Sequence, residues 1–132
     1  MESVLKEFFD DYQAGGFDEF YLSIGLTLEF TVDDVMMIEQ FLKTKGKELS
    51  LYHGGILGFY LGEIIIHNSE FAIWRPLNKP QAITDIQVQI GQKDNKLMIN
   101  PFHCIRSFID DETKSIIDWY AMVIRQGPGI LH

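Results

Sequence analysis

Three side chains in the central part of the chain have the types and the spacing to do chemistry: Tyr60, Glu63 and His67. Glu63 and His67 are four residues apart, so their side chains meet on one face if the segment is helical. A carboxylate beside an imidazole can orient a general base or provide two metal ligands. The spacing predicts a ligand-binding site at these residues, with Trp74 and Arg75 of the next segment at its rim.

The same residues also have a structural interpretation. Glu63 could pair with Arg75, with Arg106 or with a backbone amide. His67 could cap the carboxyl end of the helix, where a positive charge suits the helix dipole. A ligand site requires Glu63 and His67 to face a cavity, whereas a structural role requires that neighbouring groups hold them. Both interpretations stay open from the sequence.

A metal site or a covalent site has little support in the sequence. With a single cysteine, no Cys-x-x-Cys site exists, and His53 lies more than three helical turns from His67. His103 and Cys104 are adjacent, so on a helix they point in different directions, and Cys104 is predicted to be a buried structural thiol. The sequence also lacks phosphate-binding glycine loops and the common catalytic motifs. We therefore expect no catalytic residue, no metal and no cofactor.

Acidic residues are concentrated in the N-terminal part of the chain. The net charge is −8, and residues 1–50 hold eleven acidic and four basic residues, which is −7 and leaves −1 for the rest. The candidate partner-binding residues are three acidic pairs: Asp10 and Asp11, Asp18 and Glu19, Asp33 and Asp34. They are either solvated helix faces and helix starts or a surface that attracts a basic protein partner. The same charge argues against nucleic-acid binding, which needs clustered lysine and arginine.

The N-terminal half of the chain is predicted to be mainly helical. Apolar spacing predicts a helix over residues 3–13, a short helical turn from Asp18, and a helix from the N-cap Thr31 to about Lys45. Residues 26–30 alternate and are predicted to run extended. The helix after Thr31 is predicted to turn five side chains inward: Val32, Val35, Met36, Phe41 and Leu42.

A long helix over about residues 49–68 carries the candidate ligand site. Gly54, Gly58 and Gly62 recur every four residues and line one stripe of this helix. Glycine inside a helix costs about 1 kcal/mol relative to alanine. Three glycines in register therefore predict the close approach of another backbone or of an aromatic ring.

After this helix, the spacing of apolar residues changes from the helical period of about 3.6 to the strand period of about two. Residues 71–75, 86–90 and 97–99 are predicted to be antiparallel strands, with Ile86, Val88 and Ile90 on the dry face. Pro101 begins a helix, and Asp110 with Asp111 is predicted to cap a last one. The predicted fold class is α+β, in which N-terminal helices and the glycine-rich helix pack on a small three- or four-stranded antiparallel sheet, with C-terminal helices. We expect one domain over residues 1–132.

The compartment is predicted from what the sequence lacks. One cysteine excludes an internal disulfide, which is typical of a reducing compartment. Residues 1–7 lack the basic and apolar regions of a signal peptide, and the longest apolar run is too short to span a bilayer. We expect a cytoplasmic protein without membrane contact.

The run Gly58-Phe59-Tyr60-Leu61-Gly62-Glu63, followed by a strand with Trp74, resembles a loose group of small uncharacterised bacterial proteins. The likeness covers about residues 20–120. It implies a shared helix–sheet–helix fold with a five-residue signature: Gly58, Tyr60, Gly62, Glu63 and Trp74. It implies no particular activity.

Three functional hypotheses follow. The first is a non-catalytic protein-binding module of a bacterial cell, with an immunity-type inhibitor of a basic toxin as its concrete version. The second is a small-ligand binder or an enzyme that uses Tyr60, Glu63 and His67. The third is a structural homo-oligomer, most simply a homodimer, paired through the glycine stripe or a sheet edge.

Overall fold

The computed structural model describes residues 2–75, 86–91, 96–111 and 113–126. Within these ranges the chain forms six α-helices and three strands, which confirms the predicted α+β class. The helices are α1 (Glu2–Gln13), α2 (Asp18–Ser23), α3 (Val32–Lys45), α4 (Leu51–Asn68), α5 (Pro101–Asp110) and α6 (Ile116–Gln126). The strands are β1 (Ala72–Arg75), β2 (Gln87–Ile90) and β3 (Leu97–Ile99). A 3₁₀ turn, Gly46–Glu48, joins α3 to the start of α4.

Helix α4 lies at the centre of the fold. Ser50 caps its amino end, because its Oγ accepts a hydrogen bond from the His53 amide at 3.1 Å. Every residue from 55 to 65 is buried, and a helix that is apolar all round must be covered on all sides. The covering elements include α5, β1 and α3.

The predicted close approach along the glycine stripe is confirmed at two of its three positions. A Cβ at Gly58 would lie 2.5 Å from Cδ1 and 2.9 Å from Cα of Phe102. At Gly62 it would overlap the indole ring of Trp74 and lie 3.2 Å from Cγ of Pro101. At Gly54 the nearest atom is Cδ2 of Leu49, at an ordinary 3.8 Å. Gly58 and Gly62 therefore allow α5 and β1 to pack closely against α4, whereas Gly54 has no neighbour at such a short distance.

The sheet is antiparallel in the order β1-β2-β3. In register, Trp74 faces Val88, which faces Ile99, and these side chains point toward the helices. The predicted dry face is confirmed, since Ile86, Val88 and Ile90 are fully buried. This register places the Trp74 indole against α4.

The prediction that residues 26–30 run extended is wrong. Leu28 and Phe30 have φ angles of 65° and 58°, in the left-handed region, and the segment bends instead of forming a strand. The bend brings both the amide and the hydroxyl of Thr27 to the carboxylate of Asp34. It also lays the Phe30 ring on Tyr60, with ring centroids 4.9 Å apart. Side-chain contacts across the chain therefore outweigh the local alternation.

The predicted inward face of α3 is partly wrong. Val35 and Leu42 are buried and Phe41 is half-buried, but Val32 and Met36 are each 50% exposed. The buried stripe is centred on Asp34, Ile38 and Leu42 instead. Because the Asp34 carboxylate is hydrogen-bonded in the core, it turns that side of the helix inward.

Helix α6 is capped by Ser115, whose Oγ accepts from the Asp118 amide at 3.1 Å, and by the distant Glu39, and not by Asp110 and Asp111 as predicted. Asp110 ends α5, and Asp111 is the C-cap of that helix. The Glu39 carboxylate of α3 accepts hydrogen bonds from the amides of Ile116 and Ile117, at 2.6 and 3.2 Å. It also accepts one from the Ser115 hydroxyl at 3.1 Å. A carboxylate at a helix amino end satisfies free amides and complements the dipole, so Glu39 ties α3 to α6.

Candidate functional site

Tyr60 lies in the core and its hydroxyl has a fixed partner. The hydroxyl donates a hydrogen bond to Oδ2 of Asp34. The same carboxylate accepts from the Thr27 amide at 3.0 Å and from the Thr27 hydroxyl at 2.9 Å. Burial, followed by the hydrogen bond to Asp34, raises the pKa of Tyr60. The phenol therefore serves as a hydrogen-bond donor that links α4 to Asp34 in the first turn of α3, and through Asp34 to Thr27.

Glu63 is 7% exposed and is held by Trp74. The indole Nε1 donates to Oε2 of Glu63 at 2.9 Å, while the indole ring stacks on Phe59 with centroids 5.3 Å apart. Burial raises the pKa of Glu63, and the hydrogen bond from Trp74 and the charge of His67 oppose that rise. This pair fixes β1 to α4 at the position where Gly62 leaves room for the indole.

His67 contacts the backbone of Glu63. Its Nδ1 lies 2.8 Å from the Glu63 carbonyl oxygen, which places the imidazole as a cap near the carboxyl end of α4. The ring stacks on Phe30, with centroids 4.1 Å apart and an interplanar angle of 13°. These contacts match the structural interpretation of His67.

Arg75 faces away from this group. Its neighbour Trp74 points toward the helices, and strand alternation directs Arg75 to the outer face of the sheet, where it is exposed. Its Nε donates to Oε1 of Gln89 at 3.1 Å. The structure thus brings Tyr60, Glu63, His67 and Trp74 around α4 and leaves Arg75 outside.

The described residues contain no cluster of three or more His, Cys, Asp or Glu that could hold a metal ion. In the same part of the chain, no helix is both long enough and apolar enough to cross a membrane.

The six candidate acidic residues do not form one surface. Asp34 is 1% exposed and belongs to the core, so it cannot meet a partner. Its neighbour Asp33 is exposed in the first turn of α3. Asp10 is exposed and pairs with Lys6 across one turn, with Nζ and Oδ2 2.7 Å apart. Asp11 is also exposed, and Asp18 is half-buried.

Glu19 lies at a concavity of about 350 Å³ between α2 and the start of α4. We call it the α2–α4 concavity; Glu19, Phe20, Ser23, Tyr52, His53 and Ile56 line it. Phe20 and His53 form one wall, with ring centroids 4.4 Å apart. The wall is fixed because Nδ1 of His53 lies 2.9 Å from Oγ of Ser50, the cap of α4.

Large apolar side chains next to this concavity face solvent. Tyr52 is 56% exposed and Leu51 is 80% exposed, both in the first turn of α4. Leu22 of α2 is also exposed. Sequence reasoning missed these residues, because exposure of an apolar residue at a helix start depends on which elements pack there.

No protein-family model matches this chain, and no curated protein or solved structure shows significant similarity to it. No function can therefore be transferred to it from a relative.

Proposed function

We propose that this protein is a non-catalytic protein-binding module whose α2–α4 concavity receives a basic side chain of a partner protein. The observation that carries the proposal is the position of Glu19, a carboxylate at a depression walled by the rings of Phe20, His53 and Tyr52. Aromatic faces and a carboxylate together suit the guanidinium of arginine or the ammonium of lysine.

Charge supports this choice of partner. Residues 1–50 carry a net charge of −7, and Asp11, Asp18 and Glu19 all belong to α1, α2 or the turn between them. A field of one sign steers an oppositely charged protein toward such a surface and speeds its association.

The exposed apolar side chains support a protein as the partner. Tyrosine is enriched at the energetic centres of protein interfaces, and it presents a large surface with little conformational entropy to lose. Tyr52 and Leu51 stand beside the concavity and provide such a surface. In the concrete version of the proposal, the chain is a cytoplasmic immunity-type inhibitor that covers the basic active site of a toxin.

The test is a binding measurement with the purified protein encoded next to this chain's gene. Isothermal titration at about 50 mM and about 300 mM NaCl is expected to show a complex that weakens as salt screens the charges. Charge reversal in Glu19→Lys is expected to weaken binding at least about tenfold, because a pairing carboxylate becomes a repelling ammonium.

Glu70→Lys is the matched control, since Glu70 is exposed next to β1 and outside the acidic N-terminal part. It makes the same charge change and is expected to leave the affinity within about twofold. Equal loss in both variants, or no salt-sensitive complex with the wild-type protein, would refute the proposal.

A second candidate, self-association, has one observation in its favour. The register places Ile73, Gln89 and Met98 in a row across the outer sheet face, and Ile73 and Met98 are exposed there. The glycine-stripe version is excluded at Gly58 and Gly62, because Phe102, Pro101 and Trp74 already occupy it.

Sedimentation from about 10 µM to about 500 µM tests this candidate, because a homodimer must dissociate on dilution. Ile73→Lys is expected to abolish the dimer, and Val32→Lys, at an equally exposed site on α3, is expected to keep it. A monomer throughout this range would exclude self-association. The ligand site at Tyr60, Glu63 and His67 stays a prediction that no contact favours.

A further inference from the structure

A cavity of about 410 Å³ lies between β3, α5 and the start of α6. We call it the α5–α6 cavity. Its volume falls within the range of about 300–1,000 Å³ that is typical of small-molecule sites. It shares no residue with the α2–α4 concavity or with the group around Glu63.

The inner wall of this cavity is apolar. Ile99 of β3, Phe108 of α5 and Ile116 of α6 are buried members of the core that also line it. Trp119 of α6, half-buried, adds a flat aromatic surface. Such a wall suits a planar or branched hydrocarbon body.

The outer part of the cavity carries nitrogen donors. Lys114, in the turn before α6, and His103 of α5 both line it and are both exposed to solvent. Among the described residues the ion pairs are Lys6 with Asp10 and Lys43 with Glu39, and neither uses Lys114. The ammonium is thus placed to pair with an anion at the mouth.

Two neighbouring negative charges must be accounted for. The Asp111 carboxylate accepts hydrogen bonds from the Thr113 hydroxyl and amide at 2.6 and 3.1 Å, and these bonds, followed by the charge of Lys114, lower the pKa of Asp111. Burial, followed by the charge of Glu39, raises the pKa of Cys104 to about 12. The Glu39 carboxylate already accepts three hydrogen bonds from Ser115, Ile116 and Ile117, and it lies 3.7 Å from Nζ of Lys43. These groups balance its charge, and Lys114 acts on the Cys104 thiol in the opposite direction.

We propose that the α5–α6 cavity binds a small organic carboxylate, with its apolar body against Phe108, Ile116 and Trp119 and its carboxylate at Lys114 and His103. The opposite ends of the cavity supply the two halves of this recognition, an apolar floor and a cationic rim. The site is independent of the protein-binding surface proposed above.

Isothermal titration measures occupancy of the cavity directly. Naphthalene-1-carboxylate is expected to bind with a dissociation constant below about 1 mM. Naphthalene-1-methanol, which has the same body without the charge, is expected to bind at least about tenfold more weakly.

Variants separate the two halves of the site. Lys114→Gln is expected to raise the dissociation constant of the carboxylate probe about tenfold, and Lys47→Gln, an exposed lysine on the 3₁₀ turn, is expected to leave it unchanged. Ser107→Met is expected to fill the cavity and abolish binding of the carboxylate probe. Thermal unfolding of each variant shows that it is folded before the probe is added.

Three results would overturn the proposal: no binding of the carboxylate at millimolar concentration, equal affinity for the alcohol, or equal affinity in the Lys114 variant.

Discussion

The two ends of helix α4 differ in a way that the residue types alone do not predict. The carboxyl-terminal part carries Tyr60, Glu63 and His67, which are residues that enzymes use. Tyr60 and Glu63 are hydrogen-bonded to Asp34 and Trp74 of other elements, and His67 contacts the Glu63 carbonyl of its own helix and stacks on Phe30. The amino-terminal turn carries Leu51 and Tyr52, which suggest no chemistry, yet these side chains face solvent beside a concavity. The comparison teaches that burial and hydrogen-bond partners, more than residue type, separate scaffold from accessible surface.

The largest expected effect concerns Gly58 and Gly62, the two glycines of α4 that lie against Phe102 and Trp74. Gly58→Ala and Gly62→Ala should each destabilise the fold by about 3 kcal/mol, because the added methyl group overlaps Phe102 or Trp74. Gly54→Ala, near the amino end of α4, is the matched control. It should be neutral or stabilising by up to about 1 kcal/mol, since alanine is the better helix former and Leu49 leaves room. Urea unfolding measures all three, and similar losses at all positions would contradict the comparison.

The next effect tests the buried carboxylate that anchors Tyr60. Asp34→Ala should lower the free energy of unfolding by about 3 kcal/mol, because the amide and hydroxyl of Thr27 and the hydroxyl of Tyr60 lose their acceptor. Asp33→Ala, one residue away and exposed in the same helical turn, should cost about 0.5 kcal/mol from the helix dipole alone. Chemical denaturation of the two variants decides the matter, and equal losses would show that the Asp34 network contributes little.

A smaller effect depends on pH. Burial raises the pKa of Glu63, so the folded protein binds this proton more tightly than the unfolded chain does. Ionisation of Glu63 therefore removes stability as the pH rises from the ordinary pKa of glutamate through the raised value. Glu63→Gln keeps an acceptor for the Trp74 indole and should lack this loss, so its stability relative to wild type should increase with pH across that window.

Denaturation between about pH 4 and about pH 8 measures this difference. Glu70→Gln, at an exposed position, should run parallel to wild type. A Glu63→Gln profile that is also parallel to wild type would mean that Glu63 titrates as it does in the unfolded chain.

The smallest effect on stability is expected at Tyr52, in the first turn of α4. Tyr52→Ala should change the free energy of unfolding by less than about 1 kcal/mol, because the side chain is mostly exposed and its ring contacts are edge-on, with His53 at 5.4 Å and Phe17 at 6.3 Å. The same substitution should weaken a partner complex about tenfold if Tyr52 lies at the centre of the interface. Thermal unfolding and titration of one sample separate the two effects, and a large loss of stability would place Tyr52 with the scaffold.

The sequence predicted the elements with a clear period more successfully than it predicted the contacts between them. The strand pattern at Ile86, Val88 and Ile90 and the reason for Gly58 and Gly62 were both readable, because periodicity and the cost of glycine are local properties. The bend at Leu28 and Phe30 was not readable, because it is held by contacts to α3 and α4.

The candidate site was harder to predict than the fold. Asp33 and Asp34 are indistinguishable in the sequence, and their different fates depend on Thr27 and Tyr60, which lie elsewhere in the chain. Glu63 and His67 had the spacing of a functional pair. Whether they act together depends on Trp74 and Phe30, whose positions no spacing rule gives.

The cap that Glu39 places on α6 has a consequence for how the molecule opens. The Ile116 and Ile117 amides are satisfied by a side chain that lies more than seventy positions earlier, so the start of α6 cannot be completed locally. Local fluctuations that melt α3 should release these two amides at the same time. In a hydrogen–deuterium exchange experiment, we expect Ile116 and Ile117 to exchange with the amides of α3, as one cooperative unit assembled from distant parts of the chain.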